Sequence, residues 1–364
     1  MTLGSIGGFE LVKPLGSGGM GEVYFAVSPT ADRVALKVIR KHLVEAPTVR
    51  ERFAAEVDSL RLVFGSRVAR LEDADPYADP AWLAVEYVPG ATLRQHVDAQ
   101  GPLSLPLAAM VGAMLADGLA KVHQAKLLHR DLKPQNIILG PDGPKLIDFG
   151  LAVLIGRDGQ LTADGDLVGT PAYMAPEQVK GEFSLTAAVD IYGLAATLVF
   201  ALTGHGLYPS TNSWHLLLRI SEPDDLPDLT GVPAELAPLL GTMLAHDPSA
   251  RPRLDTVRAR LLEVAVAAGG RGVVELRGKV IELTYDEDSE LLVPPSLSDP
   301  RQDPETATVD EPPEPEPTTP EPEPTTPETD QSDQTTSAHP VPPPTDLTWL
   351  IEKLRHQYAR RNTL

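Results

Sequence analysis

His129-Arg-Asp131-Leu-Lys133-Pro-Gln-Asn136, followed twelve residues later by Asp148-Phe-Gly150, decides how this 364-residue chain is read. The text changes character on either side of that block. Upstream, Phe9-Glu-Leu-Val, Gly21-Glu-Val-Tyr-Phe-Ala-Val and Arg33-Val-Ala-Leu-Lys-Val-Ile read as short strands. A glycine-rich turn and Ser28-Pro-Thr-Ala-Asp separate them, as in an antiparallel meander. Val49, Phe53, Val57 and Leu60 then recur at three and four residues and predict a helix. Trp82-Leu-Ala-Val-Glu-Tyr-Val predicts a further strand, closed by Pro89-Gly90. Beyond Gly101 the pattern turns Ala/Leu-rich, with helices expected over 105–124, 190–203, 234–245 and 254–268. A small β-rich part followed by a larger α-rich one describes an α+β domain of two lobes with a cleft between them. The domain is expected over residues 9–268, its N-lobe at about 9–88 and its C-lobe at about 91–268.

Composition is uneven. The formal charge is −20, and residues 294–345 supply −11 of it, with 12 carboxylates against the single base Arg301. The same stretch holds 16 of the 36 prolines, so it buries too little apolar surface to offset ordering entropy and reads as a disordered Pro/Glu/Thr linker. It contains Glu-Pro-Glu-Pro-Thr-Thr-Pro twice, at 314–320 and 321–327, which is low complexity and not a solenoid. Residues 346–364 predict a short basic amphipathic helix, with Leu347, Leu350, Ile351, Leu354 and Tyr358 on one face. Residues 271–293 read as a weak β-hairpin after the main domain. An acidic balance argues against general nucleic-acid binding. With no cysteine, disulfides, thiolate zinc sites and a cysteine nucleophile are excluded. The N-terminus shows no secretory signal and no apolar run approaches membrane-spanning length, so a soluble, cytoplasmic protein is expected.

Three features carry chemistry. Gly16-Ser-Gly18-Gly-Met-Gly21-Glu-Val23 is G-x-G-x-x-G-x-V, whose glycines let backbone amides approach a triphosphate. Alone it reads better as a hairpin that merely turns, and its position between two strands argues against a dinucleotide fold. Lys37 sits in the apolar strand Val34-Ala-Leu-Lys, where a charge is costly unless paired. Glu56 on the following helix is the candidate partner. The third is the opening block itself.

Together these segments resemble the eukaryotic-type (Hanks-type) serine/threonine protein kinases. Gly169-Thr-Pro-Ala-Tyr-Met-Ala-Pro176-Glu177, Asp190 at the head of an apolar helix, and Arg251 agree with the resemblance, which spans roughly residues 9–263. It implies a two-lobed kinase fold that binds ATP with Mg2+, or Mn2+ in its place. Asp131 would be the catalytic base, Lys133 would lie beside the transferring phosphate, and Asn136 and Asp148 would hold the metals. Lys37, oriented by Glu56, would hold the α- and β-phosphates. Leu15, Gly16, Ser17, Gly18, Gly19, Met20, Gly21, Glu22, Val23, Ala35, Val85, Glu86 and Val88 would enclose the nucleotide. Leu-Lys-Pro-x-Asn and Thr170 point to the Ser/Thr branch, and the 169–177 segment to protein substrates. Glu177 with Arg251 is expected as a buried ion pair, and Asp190 as a cap on catalytic-loop amides.

Arg130 in such kinases commonly pairs with a phosphate on the activation segment. Between Asp148 and Gly169 the one hydroxyl is Thr162, so either Thr162 is autophosphorylated or Asp164 and Asp166 substitute for a phosphate. The tail threonines are either docking points for a phosphothreonine-binding partner or part of an inert spacer. A homodimer is common in the family. A pseudokinase scaffold would have lost one of Lys37, Asp131, Asn136 or Asp148, and none is missing. A small-molecule kinase would lack the 169–177 segment. The Ala/Leu/Pro/Arg-heavy usage matches a GC-rich bacterium.

Overall fold

The computed structural model describes residues 3–148, 171–182, 184–209 and 212–283, all within one compact unit. Its N-terminal part is a six-stranded antiparallel sheet in the order β1-β2-β3-β4-β6-β5. The strands are β1 (Ser5–Ile6), β2 (Phe9–Gly18), β3 (Gly21–Val27), β4 (Arg33–Ile39), β5 (Leu71–Asp75) and β6 (Trp82–Glu86). Helix α1 (Pro47–Leu60) buries Val49, Phe53, Glu56, Val57 and Leu60, the periodic face.

Alternation along the central strands divides this lobe into two cores. Val34 and Leu36 of β4, with Trp82 and Ala84 of β6, face Phe9, Leu11 and Ala26. Ile39 and Leu83 face the other way, against Phe53 and Val57 of α1. Lys37 shares the parity of Ala35 and Ile39, so the pleat that builds the cores also turns a lysine into the cleft.

The C-terminal part is helical. Its elements are α2 (Leu93–Gln100), α3 (Leu105–Gln124), α4 (Pro176–Val179), α5 (Ala188–Thr203), α6 (Ser213–Ser221), α7 (Ala237–Met243), α8 (Leu254–Gly269) and α9 (Val273–Glu282). A small sheet of β7 (Ala91–Thr92), β8 (Ile137–Gly140) and β9 (Gly143–Leu146) lies at the cleft. In α5 every residue from Val189 to Leu202 is buried, the mark of a helix apolar all round. Among the described residues α3 is the one helix long and apolar enough to cross a membrane, and it is mostly buried in the same core.

The hairpin expected over 271–293 is not formed where the structure describes it: Val273–Glu282 is helical. Val273-Val274 and Val280-Ile281 suggested strands, but Leu276 and Val280, four apart, bury one helical face against α3, α8 and β9. Tertiary packing overrides β propensity here. Gly270, at φ 58°, ends α8 in the left-handed conformation that turns the chain into α9. The linker, the tail threonines and the C-terminal segment lie outside the described residues.

At the end of α5, His205 bonds two carbonyls. Nδ1 lies 3.0 Å from Gly206 O and Nε2 2.8 Å from Thr230 O, so only the doubly protonated ring satisfies both. The Gly206 carbonyl raises its pKa above the ordinary value against some burial, helped by the Thr230 carbonyl and the Asp228 charge. A raised folded-state pKa gives stability that is complete below the unfolded value of about 6.5 and is lost as pH climbs through the folded one. Denaturant midpoints of wild type and His205→Gln should therefore differ more at pH 6 than at pH 8. A constant gap would remove the imidazolium from the account.

Candidate active site

The phosphate loop is the β2–β3 hairpin. Register pairs Gly16 with Val23, Ser17 with Glu22 and Gly18 with Gly21, leaving Gly19-Met20 at the tip. A Cβ at Gly21 would lie 1.8 Å from the Val38 carbonyl oxygen, so only glycine lets the hairpin press onto β4. Around Gly16, Gly18 and Gly19 a Cβ would meet no atom within 4 Å, and the loop's other face stands open. That suits backbone amides approaching a polyphosphate.

Beneath it, Lys37 is 7% exposed in β4, beside Val23 of β3 and Leu83 of β6. Its ammonium pairs with the Asp148 carboxylate and lies 3.7 Å from Met20 Sδ. The expectation that Glu56 is its partner is corrected: Glu56 Oε1 stands 3.7 Å from Arg130 Nη1, and the ion pairs of Lys37 and Glu56 run to Asp148 and Arg130 instead of to each other. Asp148, at φ 57°, presents its carboxylate to the lysine, while Arg130, at φ 64°, rises under α1. Burial makes each charge take the nearest opposite one.

At the hinge, Ala35 pairs with Val85 and Val34 with Glu86, and the chain continues through Tyr87 and the buried Val88. The Glu86 carboxylate bonds Lys145 of β9 through one oxygen and accepts from the Arg70 amide at 3.3 Å through the other. This buried lysine, three residues before Asp148, escaped the sequence reading, although a lysine amid Gly-Pro-x-Leu-Ile already demanded a partner. Leu15 is half exposed at the mouth.

The catalytic loop is suspended from α5. Asp190 Oδ2 accepts from His129 N at 2.9 Å and His123 Nε2 at 2.7 Å, and Oδ1 accepts from Arg130 N at 2.8 Å. Burial pushes the Asp190 carboxyl up, but His123, His129 and the Arg130 amide outweigh it and hold it below the usual value. Gly193, one turn on, has Leu132 so close that a Cβ would sit 3.1 Å from that side chain. The capping role expected of Asp190 is what the hydrogen bonds display; His123 was not anticipated.

The loop brings three predicted residues together. Asp131 Oδ2 accepts from Lys133 Nζ at 2.7 Å and from Asn136 Nδ2 at 3.0 Å, and Asn136 Nδ2 also donates to the Asp131 carbonyl at 2.8 Å. Those two acceptors commit the amide nitrogen, so Asn136 Oδ1 is the atom left for a cation. Together with the Asp148 carboxylate it is a sparse, hard-oxygen donor set, the kind that leaves room for phosphate and water on a small divalent ion. Ile147 N donates to Asn136 O at 3.0 Å, tying the loop to the strand that delivers Asp148. Phe149, Gly150, Thr162, Gly169 and Thr170 lie outside the described residues.

The comparisons with known proteins fit this geometry. The family described as "Protein kinase domain" matches residues 9–260. The chain is 41% identical over 256 residues to the serine/threonine-protein kinase AfsK of Streptomyces coelicolor, covering 70% of this chain and 32% of AfsK. It is 40% identical over 258 residues to the probable serine/threonine-protein kinase PkwA of Thermomonospora curvata, covering 71% and 34%. The crystal structure of the Mycobacterium tuberculosis PknI kinase domain superimposes with a TM-score of 0.58 at 25% identity, covering 72% of this chain and 97% of that one. The chain belongs to the protein kinase domain family, in its eukaryotic-type serine/threonine branch as found in bacteria. It spans about a third of the length of the curated relatives it matches.

Proposed function

We propose that this chain transfers the γ-phosphate of ATP to serine and threonine hydroxyls of proteins, in the cytoplasm of a bacterium. The observation that carries the reading is the Asp131 carboxylate held between Lys133 and Asn136, with Asp148 opposite Lys37. Asp131 accepts the proton of the acceptor hydroxyl and aims its oxygen at the γ-phosphorus. The new P–O bond forms as the bond to the β-phosphate bridging oxygen breaks, and ADP leaves. Lys133 balances charge on the moving phosphoryl group, and Lys37 exchanges Asp148 for the α- and β-phosphates. A divalent metal on Asn136 and Asp148, magnesium with manganese as a substitute, supplies neutralisation of the phosphate charge. Leu15, Val23, Ala35 and Val85 enclose the adenine, which the backbone of Glu86 and Val88 addresses, the Glu86 carboxylate being engaged by Lys145.

Regulation belongs to the same reading. Thr162 is the hydroxyl we propose for autophosphorylation, the phosphate then competing with Glu56 for Arg130. The tail threonines are the proposed docking points for a phosphothreonine-binding partner.

The test is transfer of labelled phosphate from ATP to a serine/threonine protein substrate, with magnesium and after chelation. Transfer is expected only with the metal, and phosphoamino-acid analysis should return phosphoserine and phosphothreonine. No magnesium-dependent ATP binding would end the proposal. Intact mass after incubation with ATP should rise by one phosphate less in Thr162→Ala than in wild type.

A further inference from the structure

Helix α2 begins at the end of the hinge, capped by Thr92, whose hydroxyl accepts from Gln95 N while the Gln95 side chain accepts from Thr92 N. It packs over the turn Pro134–Asn136 of the catalytic loop, so its first turn borders the ground an acceptor chain must cross to reach Asp131. Arg94 lies on that turn. Its guanidinium stacks over the Phe200 ring of α5, 5.0 Å from the centroid, and its Nε donates to Asp98 Oδ2 at 2.6 Å. It also stands near enough to Tyr173 for its charge to act on that phenol. Tyr173 belongs to the 169–177 segment, the part of the sequence that points to protein substrates.

Phe200 and Tyr173 are buried, yet the Arg94 side chain keeps 43% of its surface exposed. Stacking and the Asp98 bond fix the plane of the guanidinium, and its remaining N–H groups are not all consumed by those contacts. A planar fork held in advance recognises a carboxylate with little further loss of freedom. Three carboxylates at this cleft are engaged by cations: Asp98 by Arg94, Asp131 by Lys133 and Asp148 by Lys37. A basic substrate side chain would have to break one of those pairs.

We propose that Arg94 is a specificity-determining residue that reads a carboxylate on the protein substrate, so that the preferred acceptors are threonines or serines in acidic segments. The inference rests on the serine/threonine kinase reading and names its substrate class. The chain's own Glu-Pro-Glu-Pro-Thr-Thr-Pro repeats have the required chemistry and furnish the probe.

The experiment compares three synthetic peptides offered in trans to the full chain: residues 314–328, the same peptide with each Glu replaced by Gln, and the same with each Glu replaced by Lys. Wild type should favour the acidic peptide over the Gln peptide by roughly tenfold in kcat/KM, chiefly through KM, with the Lys peptide last. In Arg94→Leu that ratio should fall to about one, and Arg94→Lys should retain part of it, since a point charge replaces the fork. A ratio that survives Arg94→Leu, or a wild-type preference for the Lys peptide, overturns the proposal. So does a parallel loss on all three peptides with the ratio intact, which would make Arg94 a strut between α2 and α5. Transfer without charge preference leaves the kinase reading standing, whereas no transfer to any serine/threonine substrate removes that reading and the inference with it.

Discussion

Asp131→Asn is expected to lower kcat by between about a hundredfold and about ten-thousandfold, with nucleotide affinity little changed. The substitution keeps the shape of the side chain and removes its capacity to take a proton. The loop should hold its geometry, because three of its bonds do not use that carboxylate (Asp190 to the amides of His129 and Arg130, and Asn136 to the Asp131 carbonyl), and the oxygen of the substituted amide can still accept from Asn136 and Lys133. Lys133 loses its anionic partner in a part-buried pair but keeps an oxygen acceptor within reach, so its ammonium is not left without a hydrogen bond. Steady-state transfer to a protein substrate, paired with calorimetric binding of a non-hydrolysable ATP analogue, separates chemistry from binding. A variant retaining more than about a tenth of wild-type kcat would take Asp131 out of its proposed role.

Arg251→Ala should destabilise the fold by about 3–5 kcal/mol, a drop of roughly 10 °C in Tm. Arg251 grips Glu177 with two bonds, Nη1 to Oε1 at 2.6 Å and Nη2 to Oε2 at 2.8 Å, and both groups are buried. Its Nε donates to Ala245 O and its Nη1 to Ala188 O, each at 2.9 Å, and its plane covers Tyr192. Truncation therefore strands a carboxylate in the interior and orphans the carbonyls of two segments together. The penalty measures the stranded charge more than the worth of the pair, so Arg251→Met with Glu177→Met should recover much of the loss. A single variant as stable as wild type would show that Glu177 reaches water or another cation.

The lobes and the clustering of Asp131, Lys133 and Asn136 were legible in the sequence because local rules agree there. The apolar runs of β4 and β6 and the three-and-four spacing in α1 coincide with the burial each element achieves. Asp131, Lys133, Asn136 and Asp148 were legible through motif spacing. What the sequence withheld are choices among charges. Lys37 was expected to pair with Glu56, whereas it pairs with Asp148 and Glu56 lies beside Arg130, a choice that spacing alone does not make. Lys145 with Glu86, and His123 with Asp190, join residues 59 and 67 positions apart that no periodicity connects. Helix α9 was misread for a related reason. Its valines favour strands, and the surface that makes it a helix is supplied by α3 and β9, far away in the chain.

The attachment of His129 and Arg130 to α5 has a consequence for encounter with a substrate. The loop that carries Asp131 is thereby rooted in a helix buried all round, so its shape exists before anything arrives. An acceptor protein then meets a surface that need not be moulded, and little of its intrinsic attraction is dissipated in ordering that surface.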